Sequence, residues 1–542
     1  MVVTLMPEPA LRRRYEADRS WTEELIDGFL AELAADPRSA ERPAVVDAGT
    51  TLTHAELEQQ VQSVAASLAG LGTGRGDVVS WQLPNWLEAV VLHHAILRIG
   101  AVSNPIVAIY RRREVEFILR QAESRIFVVP QAFRGFDYPA MVDEMATGLP
   151  ALDHVVVARG SAPGCMRFEE LLAGGRPPEV ARSAKDPAVL LYTSGTTADP
   201  KGVVHPHATL VRENRTMIDV YGLDQRDSVL MCSPLTHITG LLYGAQLPLM
   251  LGSGVVLQDV WDPLVALQLV ERHRCAFMVA ATPFLHGMTY HEGLAERDVS
   301  SLRVFCCGGA DVPPQLIRDG EERLGCLVTR VYGSTEYPTA TLGSAADPLA
   351  KRAETDGRPF GGNELRVVDD EGVELDAGQA GELYVRGPER FSGYLVPQPG
   401  EDAFDAEGWF KTGDLASLDA DGYVVIRGRK KDIILRGGEN ISAKEIEDVL
   451  FTHPLIAEVA VVAQPDPVMV ERACAFIVPA GDRRPTLAEL SDFLRGHGLA
   501  IQKVPERLEF TEALPKNLAG KVQKFKLRET VRELLEREAA AG

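Results

Sequence analysis

The sequence predicts an α/β protein whose sheets are mostly parallel and flanked by helices. Apolar, strand-like runs such as 77–83, 125–130 and 303–309 alternate with helical patterns such as 55–71 and 85–100. This alternation favours parallel pairing, because the chain crosses back over the sheet before each new strand begins. A chain of 542 residues is also too long for one hydrophobic core and should divide into domains.

Two later segments change character. Residues 359–388 contain short strands between glycine turns, which predicts an antiparallel or barrel-like β subdomain. After Arg429 the order helix, strand, strand, helix and basic tail predicts a compact α+β unit. We therefore predict a large N-terminal domain over residues 1–430 and a small, mobile C-terminal domain over residues 431–542.

The run 228–258 contains no Asp, Glu, Lys or Arg, and its length is sufficient to cross a bilayer. Pro234, His237 and Pro248 interrupt it. A buried helix followed by a buried strand over 254–258 is the better interpretation, and we predict no membrane span.

The net charge, the cysteines and the N-terminal residues indicate which partners and which cellular location are expected. The formal net charge of −21 argues against nucleic acid as a partner, since binding to a phosphate backbone needs a basic face. The seven cysteines are scattered without metal-ligand spacing and are typical of core residues in a reducing compartment. The N-terminus lacks the pattern of a secretory signal, so a cytoplasmic location is expected.

The segment 190–205, LLYTSGTTADPKGVVH, is a hydroxyl- and glycine-rich loop after an apolar strand. Backbone N–H groups, hydroxyls and a closing lysine can together hold a polyphosphate; the residues concerned are Thr193, Ser194, Gly195, Thr196, Thr197 and Lys201. The loop is not a common P-loop, because Gly202 follows the lysine and no helix begins there. Taken by composition alone, such a cluster is typical of a solvated turn.

Four later motifs accompany this loop, namely VYGSTE at 331–336, GWFKTGD at 408–414, GRKKDIILRGGENISAKEIE at 428–447 and LPKNLAGKVQK at 514–524. Their order and spacing resemble the adenylate-forming superfamily of acyl-CoA synthetases, aryl-CoA ligases, beetle luciferases and peptide-synthetase adenylation domains. The resemblance spans about Trp21 to Arg528. One departure is Ala198, where the family usually has glycine, which predicts a stiffer loop with activity retained.

The resemblance implies an ATP- and Mg²⁺-dependent ligase that joins a carboxylic acid to AMP, releases pyrophosphate and passes the acyl group to coenzyme A. By motif position, Lys521 would contact the acid's carboxylate and the α-phosphate, and Lys201 would bind phosphate. Glu336 and Thr197 would hold Mg²⁺, a cation that prefers oxygen ligands.

The remaining site residues also follow from the resemblance. Tyr332 would stack on adenine beside Gly333, and Thr335 would contact phosphate or the shell of the metal. Asp414 and Arg429 would bind ribose, and Lys431 would be the hinge. Gly308, Gly309 and Ala310 would line the adenine and acyl pockets, and Gly437 and Gly438 would let CoA pass. An aromatic residue in a strand is commonly a core residue, and an aspartate in a turn commonly has only a structural role. Position in a motif is therefore the only reason to assign ligand binding to Tyr332 and Asp414.

The acid is predicted to be bulky and apolar, alicyclic or aromatic, or a medium-chain fatty acid. His237 would gate the carboxylate or the thiol, and small residues nearby would leave room for a wide substrate; these are Gly240, Gly244, Ala245, Gly308, Gly309 and Ala310. Amino acids are disfavoured, because the run 228–258 offers no carboxylate to an ammonium group.

Two alternatives remain open at the level of sequence. One is an enzyme that hands acyl-AMP to a carrier protein or to a separate thiolating enzyme, and the other is a catalytically silent ligand-binding homologue. A monomer and a homodimer are equally compatible with the sequence.

Overall fold

The computed structural model describes residues 9–193, 200–309, 312–397, 402–436, 439–516 and 521–541, and it confirms the α/β class. The described strands are β1 Pro43–Asp47, β2 Thr50–Thr53, β3 Val78–Trp81, β4 Val102–Pro105, β5 Ile126–Pro130, β6 Ala132–Phe133, β7 Phe136–Asp137, β8 His154–Ala158, β9 Met166–Arg167, β10 Pro187–Thr193, β11 Lys201–Pro206, β12 Val229–Met231, β13 Val255–Leu257, β14 Phe277–Ala280, β15 Val304–Gly308, β16 Leu327–Tyr332, β17 Thr341–Leu342, β18 Glu364–Val368, β19 Ala380–Arg386, β20 Gly393–Tyr394, β21 Phe410–Leu418, β22 Val424–Arg429, β23 Ile433–Arg436, β24 Glu439–Ser442, β25 Ile456–Asp466, β26 Val470–Pro479 and β27 Arg507–Phe510.

The described α-helices are α1 Pro9–Ala17, α2 Ile26–Ala35, α3 His54–Gly70, α4 Leu87–Arg98, α5 Arg112–Gln121, α6 Tyr138–Met145, α7 Phe168–Leu171, α8 His207–Tyr221, α9 Ile238–Gly240, α10 Leu247–Leu251, α11 Pro263–His273, α12 Thr282–Tyr290, α13 Pro314–Leu324, α14 Leu349–Glu354, α15 Ala443–Leu450, α16 Leu487–Gly496 and α17 Lys524–Ala541. Shorter 3₁₀ turns occupy Ala146–Gly148, Glu292–Glu296, Lys430–Asp432 and Ile501–Lys503, and a π-helix occupies Leu241–Gln246.

The chain divides into two compact units. The larger unit comprises residues 1–364 with 386–410, and the smaller comprises residues 365–385 with 411–542. The predicted boundary at Lys431 remains a prediction, because compactness in one conformation does not locate the point about which a domain turns.

The larger unit contains two eight-stranded sheets. The first has the order β17-β16-β15-β14-β12-β13-β1-β2, and its six inner strands run parallel between antiparallel edge strands. Parallel pairing brings the carboxyl ends of β15 and β16 side by side, with Gly308 opposite Val331. Ligands of α/β proteins commonly bind at such an edge.

The second sheet has the order β20-β11-β10-β4-β3-β5-β8-β9. Its strands from β10 to β9 pair in parallel, whereas β11 pairs antiparallel with both β10 and β20. The predicted helices at 55–71 and 85–100 are present as α3 and α4. Thr53 and Glu56 begin α3 with reciprocal hydrogen bonds between side chain and backbone, which satisfy N–H groups that a helix start leaves unpaired.

The acid-free run 228–258 forms strand β12, a broken helix from Ile238 to Leu251 and strand β13. Both strands are buried in the first sheet, as the sequence predicts. The helix is irregular, because its centre adopts the wider π-helical turn. Along the described part of the chain, every helix is too short or too polar to span a bilayer.

The smaller unit contains a four-stranded sheet, β18-β19-β21-β22, and a five-stranded sheet of β24-β23-β26-β25 with β27 added beside β26. The glycine-rich segment thus forms the predicted separate β structure, and β21 and β22 pair antiparallel. The predicted helix, two strands and helix of the C-terminal part are α15, β25, β26 and α16. The basic tail, for which no structure was predicted, forms the long helix α17.

Candidate active site

The predicted phosphate loop connects two antiparallel strands. Thr193, the last residue of β10, pairs with Lys201, the first residue of β11. Lys201 therefore begins a strand and not a helix, which distinguishes this loop from a P-loop. Four other predicted phosphate ligands lie outside the described residues, namely Ser194, Gly195, Thr196 and Thr197.

Lys201 and Glu336 both contact one further side chain, that of Tyr394. Because β20 pairs with β11, Tyr394 lies beside the start of β11, and its ring centroid is 5.3 Å from Lys201 Nζ. Tyr394 Oη donates a hydrogen bond of 2.9 Å to Glu336 Oε1. An ammonium over a ring face and a charged acceptor for the phenol are both favourable contacts. Sequence reasoning missed Tyr394, which lies outside the five motifs.

The backbone of the VYGSTE motif is held in a tight turn after β16. Ser334 N donates to Tyr337 O over 2.8 Å, and Tyr337 N donates to Ser334 Oγ over 3.2 Å. Phe391 N donates to Glu336 O over 2.9 Å. Side chain and main chain of Glu336 are thus both bound by the segment that carries Tyr394.

His205 links β11 to the same motif. Its Nε2 lies 2.7 Å from Thr335 O, and since a carbonyl only accepts, this nitrogen carries the proton. Burial lowers the pKa of His205 to about 4, so the ring is neutral at ordinary pH. His205 ends the loop segment that the sequence analysis singled out, but no structural role was predicted for it.

Two of the glycines predicted to line the site are also required by close packing of the backbone around them. A Cβ on Gly308 would lie 2.2 Å from Val331 O, and one on Gly333 would lie 1.9 Å from Pro338 O. Gly309 follows with a φ of +77°, a conformation that favours glycine. Tyr332 is half-buried at the end of β16, and Ala310 lies outside the described residues.

The segment that follows His237, which was expected to leave room for the acid, is densely packed. His237 is half-buried at the start of α9, and its Nδ1 accepts a hydrogen bond from Thr239 N. Leu241, Leu242 and Leu247 are fully buried in the main core of the larger unit. These three leucines pack as ordinary core residues.

The expectation that small residues leave room for a wide acid is wrong at three positions. A Cβ on Gly240 would lie 2.0 Å from Pro234 O, and one on Gly244 would lie 2.6 Å from Met231 Cγ. Gly308 is equally crowded by Val331, as described above. Protein atoms fill the space that these glycines would otherwise open to a ligand.

The residues present fit a magnesium ion held largely by phosphate oxygens and water. Glu336 is a half-buried carboxylate at the sheet edge, close to the phosphate loop through Tyr394 and His205. Among the described residues, no group of three or more His, Cys, Asp or Glu side chains is arranged to hold a metal. Mg²⁺ in nucleotide sites commonly takes one or two carboxylates and the phosphates, which is consistent with a single glutamate.

The predicted ribose pair lies within the smaller unit. Asp414 in β21 is the register partner of Arg429 in β22, and Arg429 Nε is 3.0 Å from Asp414 Oδ1. Asp414 is buried in a strand and does not form the turn that was its alternative explanation. The arginine orients the carboxylate, and a carboxylate is a group that accepts hydrogen bonds from hydroxyl donors.

Lys431 and Lys521 also belong to the smaller unit. Lys431 lies in the 3₁₀ turn Lys430–Asp432, and its pKa is lowered to about 8 by the loss of surrounding water and then by the charge of Arg429, with Lys521 contributing. Lys521 itself is exposed. Gly437 and Gly438 lie outside the described residues. Other members of the basic runs form ion pairs, Arg528 with Asp432 over 2.8 Å among them.

Family models match two consecutive parts of the chain. The model of the AMP-binding enzyme matches residues 32–395, and that of the AMP-binding enzyme C-terminal domain matches residues 445–521. The chain belongs to the AMP-binding enzyme family. It is therefore an adenylate-forming ligase, and the resemblance of its five motifs to that superfamily is confirmed.

Relatives of this AMP-binding enzyme align over nearly its whole length. The medium-chain fatty-acid–CoA ligase of Escherichia coli K12 is 34% identical, with 98% of this chain and 94% of the relative covered. The 2,3-dihydroxybenzoate-AMP ligase of Bacillus subtilis strain 168 is 33% identical, with 97% of each covered. The solved anthranilate CoA ligase AuaEII with anthranoyl-AMP matches with a TM-score of 0.85 and 26% identity, covering 95% of this chain and 98% of that one.

Proposed function

We propose that this AMP-binding enzyme is an ATP- and Mg²⁺-dependent acid–CoA ligase. It would join a carboxylic acid to AMP with release of pyrophosphate and then transfer the acyl group to the thiol of CoA. The observation that carries the proposal is the arrangement of Lys201, Tyr394 and Glu336 beside the phosphate loop. A nucleotide polyphosphate and its cation together require a positive and a negative side chain, which Lys201 and Glu336 would supply.

The chemistry explains why these charges are needed. A carboxylate repels a negatively charged phosphate, so the first step brings two anions together and concentrates charge at phosphorus. Lys201 would neutralise phosphate oxygens, and Lys521 would neutralise the charge shared by the acid and the α-phosphate. Glu336 and Thr197 would hold Mg²⁺, which supplies charge stabilisation and orients the phosphates when bound.

The smaller unit would supply the remaining contacts. Asp414 would accept hydrogen bonds from the ribose hydroxyls while Arg429 keeps its carboxylate in place. Lys431 would be the hinge that separates a domain over residues 1–430 from one over 431–542. Gly437 and Gly438 would then let the pantetheine arm of CoA pass, and domain motion would separate the two half-reactions.

The acceptor of the acyl group has two candidates. CoA is favoured because CoA ligases are named among the relatives, both in the 34% identical enzyme and in the solved structure. A relative named as an AMP ligase, at 33% identity, favours the second candidate. In that case a carrier protein or a separate thiolating enzyme would receive the acyl group.

The acid is proposed to be a medium-chain, alicyclic or aromatic carboxylic acid. The names of the three relatives support this class, since they specify a medium-chain fatty acid, 2,3-dihydroxybenzoate and anthranilate. His237 would lie near its carboxylate or near the thiol. Amino acids were disfavoured because residues 228–258 contain no acidic side chain. In the fold, however, the acidic residue Glu213 contacts this run, since Tyr243 Oη donates a hydrogen bond to it.

The decisive experiment measures the two half-reactions separately. Purified protein with ATP and Mg²⁺ is given octanoate, cyclohexanecarboxylate, benzoate derivatives, acetate or amino acids, and pyrophosphate release is followed with and without CoA. We expect pyrophosphate release with the larger acids and thioester formation only when CoA is present. Pyrophosphate release without any thioester would favour the carrier-protein candidate, and a higher kcat/KM for acetate or an amino acid would contradict the proposed acid.

A further inference from the structure

Two buried glutamates from distant parts of the chain contact each other inside the larger unit. Glu213 lies on α8, and Glu389 lies between β19 and β20. Both side chains are completely buried, and one hydrogen-bond network joins them: Tyr243 bonds to Glu213 and to Thr339, and Asn363 Nδ2 donates to Thr339 O and to Glu389. The backbone at Gly361 closes the pair on one side, where a Cβ would lie 2.2 Å from Thr216 Oγ1 and 2.6 Å from Glu389 Oε1.

The donors around the pair leave one oxygen unsatisfied. Tyr243 Oη donates to Glu213 Oε1 over 2.5 Å, and Asn363 Nδ2 donates to Glu389 Oε2 over 2.7 Å. Thr216 Oγ1 donates to Glu389 Oε1. The hydroxyl and N–H of Thr339 also face the Glu213 carboxyl group, but Glu213 Oε2 is buried and has no hydrogen-bond partner of good geometry among the described residues.

Two adjacent carboxylates in such a place cannot both be charged. Burial raises the pKa of both glutamates, and the negative charge of Glu213 raises the pKa of Glu389 further. A proton on one carboxyl group supplies the hydrogen bond that Glu213 Oε2 otherwise lacks. The pair thereby becomes a short bridge between α8 and the segment that follows β19.

The glutamate pair joins the two elements that carry the site residues Tyr394 and Lys201. Phe391 and Tyr394 follow Glu389 closely in the chain. The Phe391 N–H donates a hydrogen bond to Glu336 O, and the Tyr394 hydroxyl donates one to Glu336 Oε1. On the other side, α8 continues directly from β11, which begins at Lys201. Any separation of the two elements changes where Glu336 lies relative to Lys201.

We propose that Glu213 and Glu389 share one proton, and that this bridged pair is a positioning device that keeps Glu336 in place for adenylation. The positioning part rests on the proposed role of Glu336, whereas the shared proton does not. The other titratable groups facing the pair are Tyr243 and Tyr337, both neutral because burial raises their pKa well above 10, and Arg390. Arg390 is directed away, with Nη1 3.2 Å from Gly408 O and its guanidinium over the Phe404 ring.

The shared proton is tested without substrate. Infrared spectra of the wild-type protein at neutral pH should contain the C=O stretch of a buried protonated carboxyl group. The band should be absent in Glu213→Gln, whose amide would donate permanently to Glu389, and absent in Glu389→Gln. It should persist in the control Glu58→Gln, where the buried glutamate accepts hydrogen bonds from Arg98. A wild-type spectrum without the band would overturn the proposal.

The positioning role is tested by comparing two substitutions at one site. Glu213→Leu should lower the kcat of acid-dependent pyrophosphate release about tenfold or more, with little change in the KM for ATP, because Glu336 is displaced. Conversion of supplied acyl-AMP to thioester should be unaffected, and Glu213→Gln should restore most of the adenylation rate. Equal loss of both half-reactions, or no rescue by glutamine, would overturn the positioning role.

These measurements separate this inference from the proposed function. The infrared band needs no acid and no CoA, so a wild-type protein inactive with every acid tested would count against the proposed function alone. Glu58→Leu serves as the matched control for the loss of a buried glutamate, and it should not reduce adenylation selectively.

Discussion

Tyr394 Oη donates a hydrogen bond of 2.9 Å to Glu336 Oε1. Glu336 lies in the loop between β16 and β17 of the first sheet, and Tyr394 lies in β20, an edge strand of the second sheet. The same tyrosine ring lies 5.3 Å from Lys201 Nζ. One side chain outside the recognised motifs therefore contacts two of the charged residues that the motifs supply, Lys201 and Glu336.

Removing only the hydroxyl tests this relationship. Tyr394→Phe keeps the ring beside Lys201 but leaves Glu336 without its donor, and a hydrogen bond to a charged group contributes about 1.5–3 kcal/mol. We expect kcat for pyrophosphate release to fall by about tenfold or more. Tyr290→Phe, which removes a 2.5 Å hydrogen bond to Asp319, is the matched control and should be silent. Wild-type kinetics for Tyr394→Phe would show that Glu336 does not need this donor.

Lys521→Ala should separate the half-reactions. The lysine is expected to act only in adenylation, so acid-dependent pyrophosphate release should fall by roughly a hundredfold, the scale of one lost charged contact to a transition state. Thioester formation from supplied acyl-AMP should be largely kept. A parallel loss of both rates would argue against two separate conformations.

Lys431→Pro tests the hinge. Lys431 lies in the 3₁₀ turn Lys430–Asp432, and proline there restricts φ at its own position and disfavours helical backbone at Lys430. We expect acyl-AMP to accumulate on the enzyme without conversion to thioester, measured by rapid-quench analysis of both species. Normal CoA turnover would place the hinge elsewhere.

Gly333→Ala should impair the site through crowding alone. The added Cβ would lie 1.9 Å from Pro338 O and would open the turn that carries Thr335 and Glu336. Gly325→Ala is the control, because its φ of +68° costs about 1–2 kcal/mol for alanine but nothing lies within 4 Å. Both variants should unfold at lower urea, and only Gly333→Ala should lose adenylation when assayed well below its unfolding transition.

The paired glutamates predict a pH dependence of stability. Their pKa values are raised in the folded protein above the ordinary 4.5. Between pH 4.5 and the raised pKa the folded state therefore binds more protons than the unfolded state, and the free energy of unfolding falls as pH rises. Between the ordinary pKa and the raised pKa, one extra bound proton changes the free energy of unfolding by about 1.4 kcal/mol per pH unit. Urea unfolding of Glu213→Gln should show a shallower decline than the wild type. Identical slopes would show that no extra proton is held.

Several features of the fold were predictable because they depend on local pattern. The helix that begins at Thr53 has its capping residues and apolar periodicity within one short segment, and it forms where predicted. The strand that ends at Tyr332 places Glu336 at a sheet edge for the same reason. The strand that ends at Thr193 lies before the phosphate loop, as its sequence indicates, whereas the strand that begins at Lys201 was not predicted.

Other features were not predictable, since they arise from contacts between distant segments. Gly240 and Gly244 suggested an open pocket, but whether a small residue leaves space depends on its neighbours, here Pro234 and Met231. The basic tail contained no signal beyond charge, and its helix packs Leu527 and Val531 into a core with Phe476.

The sequence alone thus determined the family and the α/β class, because motifs and periodicities are properties of consecutive residues. Only the tertiary structure decided that Tyr394 binds Glu336, that His205 binds Thr335 and that Glu213 meets Glu389. These contacts follow from how strands and helices are placed side by side. That placement depends on packing and hydrogen bonding across the whole unit, which no local stretch of residues specifies.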